Sequence, residues 1–287
     1  MSTPPQDFVL DYSLVDVFAE HRLEGNQLAI FTDARSLTAD QMQALARETN
    51  LAETTFILPQ QDEHEGVRVR IFTVQEELPF AGHPTLGSAR AWLAAGGSPK
   101  ASGRIVQECG AGLVPLRQEG QRLAFAAPPL VRSGPPSAGE LEEACAFLGL
   151  SRDAVVDTNW VDNGPGWLGI MLASAEAVLA LHPAAAWPRR MDVGVVGPHP
   201  RGSEAAFEVR ALFSDHTGAV REDPVTGSLN ASLAQWLFAA GRAEGAYVAA
   251  QGTRLGRAGR VYVSRDEAGQ VWIGGETRIL IDGSVEI

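Results

Sequence analysis

Four side chains in this sequence have the types that proton-transfer chemistry needs: Glu53, His83, Asp223 and Ser228. Carboxylates and an imidazole can take and return protons near neutral pH, and a hydroxyl beside free helix amides can hold an anion. His83 stands in Leu78-Pro79-Phe80-Ala81-Gly82-His83-Pro84-Thr85-Leu86-Gly87-Ser88-Ala89. About 140 positions on, counted from Pro84 to Pro224, comes an altered copy, Asp223-Pro224-Val225-Thr226-Gly227-Ser228-Leu229-Asn230-Ala231. Pro84, Gly87, Ser88, Ala91 and Leu93 then match Pro224, Gly227, Ser228, Ala231 and Leu233. Upstream, Val69-Arg70-Ile71-Phe72-Thr73 is echoed by Val209-Arg210-Ala211-Leu212-Phe213-Ser214 with one residue inserted. The expectation is two halves of similar fold, each offering a helix N-terminus whose unspent N–H groups and dipole suit a carboxylate. In this register His83 stands where Asp223 stands, so a site built from both copies is asymmetric.

Each residue also has a plainer reading. Asp223-Pro224 is a good N-cap followed by Pro at the first helical position, whereas His83 is a poor N-cap. Glu53, at a helix-to-strand junction, reads locally as a solvated carboxylate. Asp62-Glu63-His64-Glu65-Gly66 reads as a solvated hairpin loop, not a metal cluster. No P-loop, dinucleotide fingerprint, zinc spacing, serine elbow or cofactor-lysine context occurs, and Lys100 is the single lysine. Neither metal nor cofactor is expected.

The elements that must hold these groups follow from pattern. Thr38 to Asn50 is expected as a helix, with a Thr38/Gln41 capping box, a Leu37/Met42 staple and Met42, Leu45, Ala46 and Thr49 on one face. A strand must begin directly after Glu53, in Thr54-Thr55-Phe56-Ile57-Leu58. Ser137 and Glu140 form a second capping box, opening a helix with Leu141, Ala144, Cys145 and Leu148 inward. Ala126 to Glu140, rich in Pro, Gly and Ser, is the candidate linker. Many short strands around few helices indicate an α+β (mixed α/β) fold of two similar domains, each a curved, mostly antiparallel sheet wrapped on a central helix.

Composition bounds the function. With 287 residues the chain is comfortable for two domains, and a net charge of −12 without a basic run argues against nucleic acid or an anionic membrane surface. The N-terminus shows no signal-peptide pattern, and the longest apolar segment, Trp167 to Trp187, is broken by Glu176, His182 and Pro183. Cys109 and Cys145 make no disulfide framework, so a reducing cytoplasmic setting is expected; Cys145 reads as core and Cys109 as strand packing. Asn230-Ala231-Ser232 spells a sequon that a helix would leave unused.

Gly25-Asn26, Asn50-Leu51-Ala52-Glu53-Thr54-Thr55-Phe56, Leu78 to Pro84 and Glu222 to Ser228, in that order along nearly the whole chain, resemble the phenazine biosynthesis PhzF family. The resemblance implies the diaminopimelate epimerase-like fold: domains 8–126, completed by the last strand 278–287, and 127–277, with the active site in the cleft between them and usually a homodimer. It also implies a cofactor-independent isomerase that moves a proton on a small carboxylate-bearing substrate. Carried over, the acid/base glutamate is Glu53, joined by His83 and Asp223, with Ser228, Gly82, Gly227 and Asn26 on the substrate. Burial would have to raise the pKa of Glu53. Proline racemases and diaminopimelate epimerases, similar in architecture, place a thiol before each helix start; here Ala81 and Thr226 stand there, and neither Cys109 nor Cys145 matches. The counterpart of Glu53, near Val193, has only Asp192 close by, so one base is expected to act alone. Ala52 departs from the serine of the phenazine enzyme, which puts contacts near the substrate in doubt. An epimerase, a dehydratase or a non-catalytic binder on the same scaffold are the alternatives.

Overall fold

The computed structural model describes residues 9–59, 66–99 and 101–287. The acidic turn Asp62-Glu63-His64-Glu65 and Lys100 lie outside them. The chain divides into two compact units. One comprises residues up to Arg22, Gln27–Phe125 and Glu276–Ile287; the other comprises Leu23–Asn26 and Ala126–Gly275. The expected boundary fell one residue later, and the short piece Leu23–Asn26 was not foreseen as part of the second unit.

In the first unit the order is β1 (Val9–Val17), β2 (Asn26–Thr32), α1 (Ala39–Thr49), β3 (Thr54–Leu58), β4 (Gly66–Phe72), β5 (Glu77–Leu78), α2 (Gly82–Ala94), β6 (Arg104–Cys109), β7 (Gly112–Glu119) and β8 (Arg122–Ala126). β2 and β3 pair in parallel, as do β4 and β6; the pairs β3–β4, β4–β5, β6–β7 and β7–β8 are antiparallel. The parallel pairs need crossovers, which α1 and α2 supply.

α1 forms because Thr38 accepts from the Gln41 amide while Gln41 accepts from the Thr38 amide, a complete capping box. Asn50, left-handed at φ 52, ends it, so that three residues later Glu53 can start a strand. Met42 and Ala46 pack with Leu10, Phe31, Leu37, Phe56 and Phe72, while Leu45 is only partly covered. α2, whose polar side chains are His83, Thr85, Ser88 and Arg90, is buried from Gly82 through Ala89 and again at Ala91. Two of them are spent internally: Ser88 Oγ donates to Thr55 Oγ1 at 3.0 Å, and buried Gln107 donates to Thr85 Oγ1 at 2.9 Å.

Gly87 shows how closely α2 is wrapped, since a Cβ there would lie 2.5 Å from Leu28 Cδ2 and 3.1 Å from Val17 Cγ2. Gly to Ala inside a helix ordinarily gains about 1 kcal/mol. Here overpacking reverses the sign, and Gly87→Ala is expected to lose about 1–3 kcal/mol in urea unfolding. A stabilised variant would contradict this packing.

The second unit repeats the plan with β9 (Arg132–Gly134), α3 (Ala138–Leu148), β10 (Val155–Asp162), β11 (Leu168–Leu172), α4 (Ala175–Leu179), β12 (Asp192–Pro198), β13 (Phe207–Ser214), β14 (Val220–Asp223), α5 (Gly227–Ala239), β15 (Tyr247–Gln251), β16 (Gly259–Arg265) and β17 (Val271–Glu286). β11–β12 and β13–β15 are parallel, bridged by α4 and α5; β12–β13, β13–β14 and β15–β16 are antiparallel. The core joins α3 residues Leu141, Ala144, Cys145 and Leu148 to Ile170, Val193 and Leu212. β17 begins here beside β16 and ends in the first unit, where Thr277 to Glu286 pair with β1.

Two expectations need correction. The segment Ala126 to Glu140 is no slack linker: Ala127 and Val131 donate to Val271 and Asp162, and β9 pairs with β10 between its proline pairs. Cys109 is the last residue of β6, paired with Gly112 of β7 and partly exposed, with Sγ 3.6 Å from the Gly112 carbonyl. The repeat is present, but in another register. α2 and α5 are both 13 residues long and open at Gly82 and Gly227, so Ala81-Gly82-His83 corresponds to Thr226-Gly227-Ser228 and Leu78 to Asp223. Gly87-Ser88 lie in the second turn of α2, not at its start.

The slip arises in one hairpin. Arg70 clasps Glu77 with two hydrogen bonds, 2.7 and 2.6 Å, at a separation of 7 residues. Arg210 clasps Glu222 in the same way, at 3.1 and 2.7 Å, across 12 residues. The longer turn folds on Asp215, whose carboxylate accepts from Thr217, Ala219 and Arg221. These interactions hold the Asp215 carboxyl well below the usual range, the Thr217 hydroxyl and Arg221 bonds contributing most. No helix among the described residues is long and apolar enough to cross a membrane.

Candidate active site

In the first unit, Glu53 sits between the left-handed stop at Asn50 and the start of β3, and His83 is the second residue of α2. Their Oε2 and Nε2 atoms are 3.4 Å apart, with side chains 18% and 4% exposed. Burial pulls the His83 pKa down to about 3, against an opposing bond to the Gln27 backbone. His83 is therefore a neutral imidazole at pH 7, and its contact with Glu53 is not an ion pair.

In the second unit, Asp223 ends β14. Asn26 Nδ2 donates to its Oδ1 at 2.9 Å and to the Val225 carbonyl at 3.0 Å; Thr226 Oγ1 donates to Oδ2 at 2.5 Å. Desolvation outweighs both bonds to the carboxylate, and the carboxyl pKa rises to about 6. Asp223 is not an N-cap: the cap of α5 is Thr226, and Asp223 accepts from side chains, not from helix amides. Behind Thr226 lies Gln251, fully buried, which donates to Thr226 Oγ1 at 2.9 Å and accepts from the Thr226 amide at 3.0 Å and from Asn230 Nδ2 at 2.7 Å. The sequon residue Asn230 is thus a core hydrogen-bonding group. Gln27, Thr226 and Gln251 escaped the sequence reading, although Gln107 holding Thr85 is the same device in the first unit.

The helix starts differ from the others. α1, α3 and α4 are capped by Thr38, Ser137 and Ser174, whereas α2 and α5 have no side-chain cap and no acidic residue in the first turn. Uncapped amides at a dipole's positive end are suited to an anion. Gly82 and His83 open one helix, Gly227 and Ser228 the other. Asn26, read from the sequence as touching substrate, donates to Asp223 and to the Val225 carbonyl. The counterpart of Glu53 is Asp192, first in β12, held by Arg190 at 2.6 and 2.9 Å. Burial raises its pKa, with Arg190 opposing.

A model described as "Phenazine biosynthesis-like protein" (PhzC-PhzF) matches residues 15–283. The chain belongs to the PhzF-like family. Among its relatives, the trans-2,3-dihydro-3-hydroxyanthranilate isomerase of Pseudomonas aeruginosa is 35% identical over 277 residues, covering 90% of this chain and 91% of the relative. "Antisense-enhancing sequence 1" of Schizosaccharomyces pombe is 31% identical, covering 95% and 97%. A PhzF-family crystal structure from Enterococcus faecalis aligns at TM-score 0.79 and 24% identity, covering 98% of this chain and all of that one, 100%. A hydroxyproline epimerase from Agrobacterium vitis aligns at TM-score 0.59 and 12% identity, covering 97% and 93%. These neighbours place the PhzF-like chain in the epimerase-like fold, and its relatives make it an isomerase. At the two helix starts it carries Ala81 and Thr226, with Cys145 in the α3 core and Cys109 at the end of β6.

The two shifted groups work against each other in acid. His83, neutral in the fold, contributes stability that is complete above its ordinary value of 6.5 and is lost as pH falls toward about 3. Asp223, protonated in the fold up to about 6, contributes stability that is complete below its ordinary 3.8 and is lost as pH rises through 6. Asp223→Asn leaves the His83 contribution unopposed. Its urea-measured stability is expected to fall more steeply than wild type between about pH 6 and 4, by up to about 1 kcal/mol per pH unit. Parallel curves would contradict these environments.

Proposed function

We propose that this PhzF-type isomerase moves a proton between two carbons of a small carboxylate-bearing ring or amino-acid-like substrate, with Glu53 as the single acid/base. No cofactor enters the scheme. The Glu53–His83 pair carries the reading: a carboxylate mostly withdrawn from water, 3.4 Å from a neutral imidazole that does not lock it in a salt bridge. The carboxylate takes a proton from one substrate carbon and delivers it to another, the electron pair shifting through the intervening double bond, so that substrate and product are isomers. His83 steadies the Glu53 carboxyl through the transfer. Asp223 meets the substrate's polar edge, while the uncapped starts of α2 and α5, with Ser228, hold the carboxylate.

The probe is trans-2,3-dihydro-3-hydroxyanthranilate, named for the Pseudomonas relative. Purified protein treated with a chelator is expected to convert it, followed by absorbance and proton NMR. Tight binding without conversion would favour a non-catalytic binder, and loss of water or inversion at carbon would favour a dehydratase or an epimerase.

A further inference from the structure

The loop joining β10 to β11 grips Ser228 at two points. Asn163 Nδ2 donates to its carbonyl at 2.8 Å, and Trp167 Nε1 donates to its hydroxyl oxygen at 3.2 Å. Asp162 shapes the loop by accepting from the Gly164 and Gly166 amides, both at 2.7 Å, and the two glycines take positive φ angles of 136° and 99°. Trp167 is 4% exposed, which holds the ring in this orientation. These contacts fasten the β10–β11 loop to the start of α5, and none of them involves Asp223.

The consequence is a matter of hydrogen-bond sign. An indole N–H can only donate, and a hydroxyl has one proton to give and two lone pairs to accept with. With its oxygen accepting from Trp167, Ser228 must direct that proton elsewhere, and among the described residues no acceptor takes it. Ser228 retains partial exposure at the start of an uncapped helix.

We infer that Trp167 and Asn163 are positioning residues that hold Ser228 with its hydroxyl proton turned away from the indole and strengthened as a donor, so that a carboxylate seated at the α5 start is preferred to a carboxamide. The inference rests on the proposed function above. It adds the residues that sharpen this preference.

Anthranilate and anthranilamide, matched in outline and differing in that group, are the probes, with binding measured by calorimetry on the full chain. Wild type is expected to prefer anthranilate by at least about tenfold, as a hydrogen bond to a charged group warrants. Trp167→Phe keeps an aromatic ring and removes the N–H; it should lower the preference about fivefold, and Asn163→Ala, at the loop's partly exposed tip, about twofold. Ser228→Ala should abolish most of the preference, and adding Trp167→Phe to it should change nothing further, because the indole acts through the hydroxyl. If wild type itself shows no preference, or Ser228→Ala leaves the preference unchanged, the anion seat of the proposed function is wrong. If Ser228→Ala matters but both loop variants bind as wild type, or Trp167→Phe adds its full effect in the Ser228→Ala background, this inference is overturned while that reading stands.

Discussion

Glu53→Gln is expected to lower turnover of trans-2,3-dihydro-3-hydroxyanthranilate by roughly 1,000-fold, with substrate affinity kept within about threefold. The amide has the size of the carboxyl and can still donate toward His83 Nε2, so the surroundings of β3 and α2 remain supported. What it cannot do is gain and lose a proton near neutral pH. A loss in affinity with little change in turnover would make Glu53 a binding group. His83→Gln should cost less, since a neutral imidazole steadies the carboxyl but carries no proton in the scheme.

The largest expected stability effect comes from one arm of the repeated arginine clasp. Arg210 and Glu222 side chains are 5% and 9% exposed, and Arg210 also donates to the Val178 and Leu181 carbonyls at 3.2 and 3.0 Å. Arg210→Met strands a buried carboxylate and two carbonyls, a loss of about 3–5 kcal/mol. The same bidentate pair at Arg70 and Glu77 is 29% and 41% exposed. Water takes over when that pair is broken, so Arg70→Met should cost less than about 1 kcal/mol. Comparable losses in urea unfolding would refute the assignment of these energies to burial. Because Glu222 adjoins Asp223, the Arg210 variant should also disturb activity more than its counterpart does.

Much of the scaffold could be read locally. Thr38 with Gln41, Ser137 with Glu140 and Ser174 ahead of α4 announce their helices, because a cap is a short-range contract between residues three apart. The four motifs likewise led to the family and to Glu53, His83 and Asp223. The register of the repeat was misread because common residues such as Gly, Ser, Ala and Leu match readily out of phase. A turn lengthened on Asp215 leaves no periodic trace, whereas the Arg–Glu clasp would have marked the slip. Asp223 passed for a cap because its partner Asn26 is 197 positions away in the chain. Gln251, Asn163 and Trp167 were invisible for the same reason: their roles are set by where strands return, not by neighbours in sequence.

The central claim is that one carboxylate carries the proton. It is tested most directly by turning over, or incubating, the dihydro-hydroxyanthranilate probe in deuterated water with wild type and with Glu53→Gln, and reading deuterium at each ring carbon by NMR. Wild type should place deuterium at the carbon that is protonated, because the Glu53 carboxyl, 18% exposed, exchanges its proton with solvent between abstraction and delivery, and the variant, still binding the probe, should place none. Deuterium entering at the wild-type rate in the variant would show that another group moves the proton.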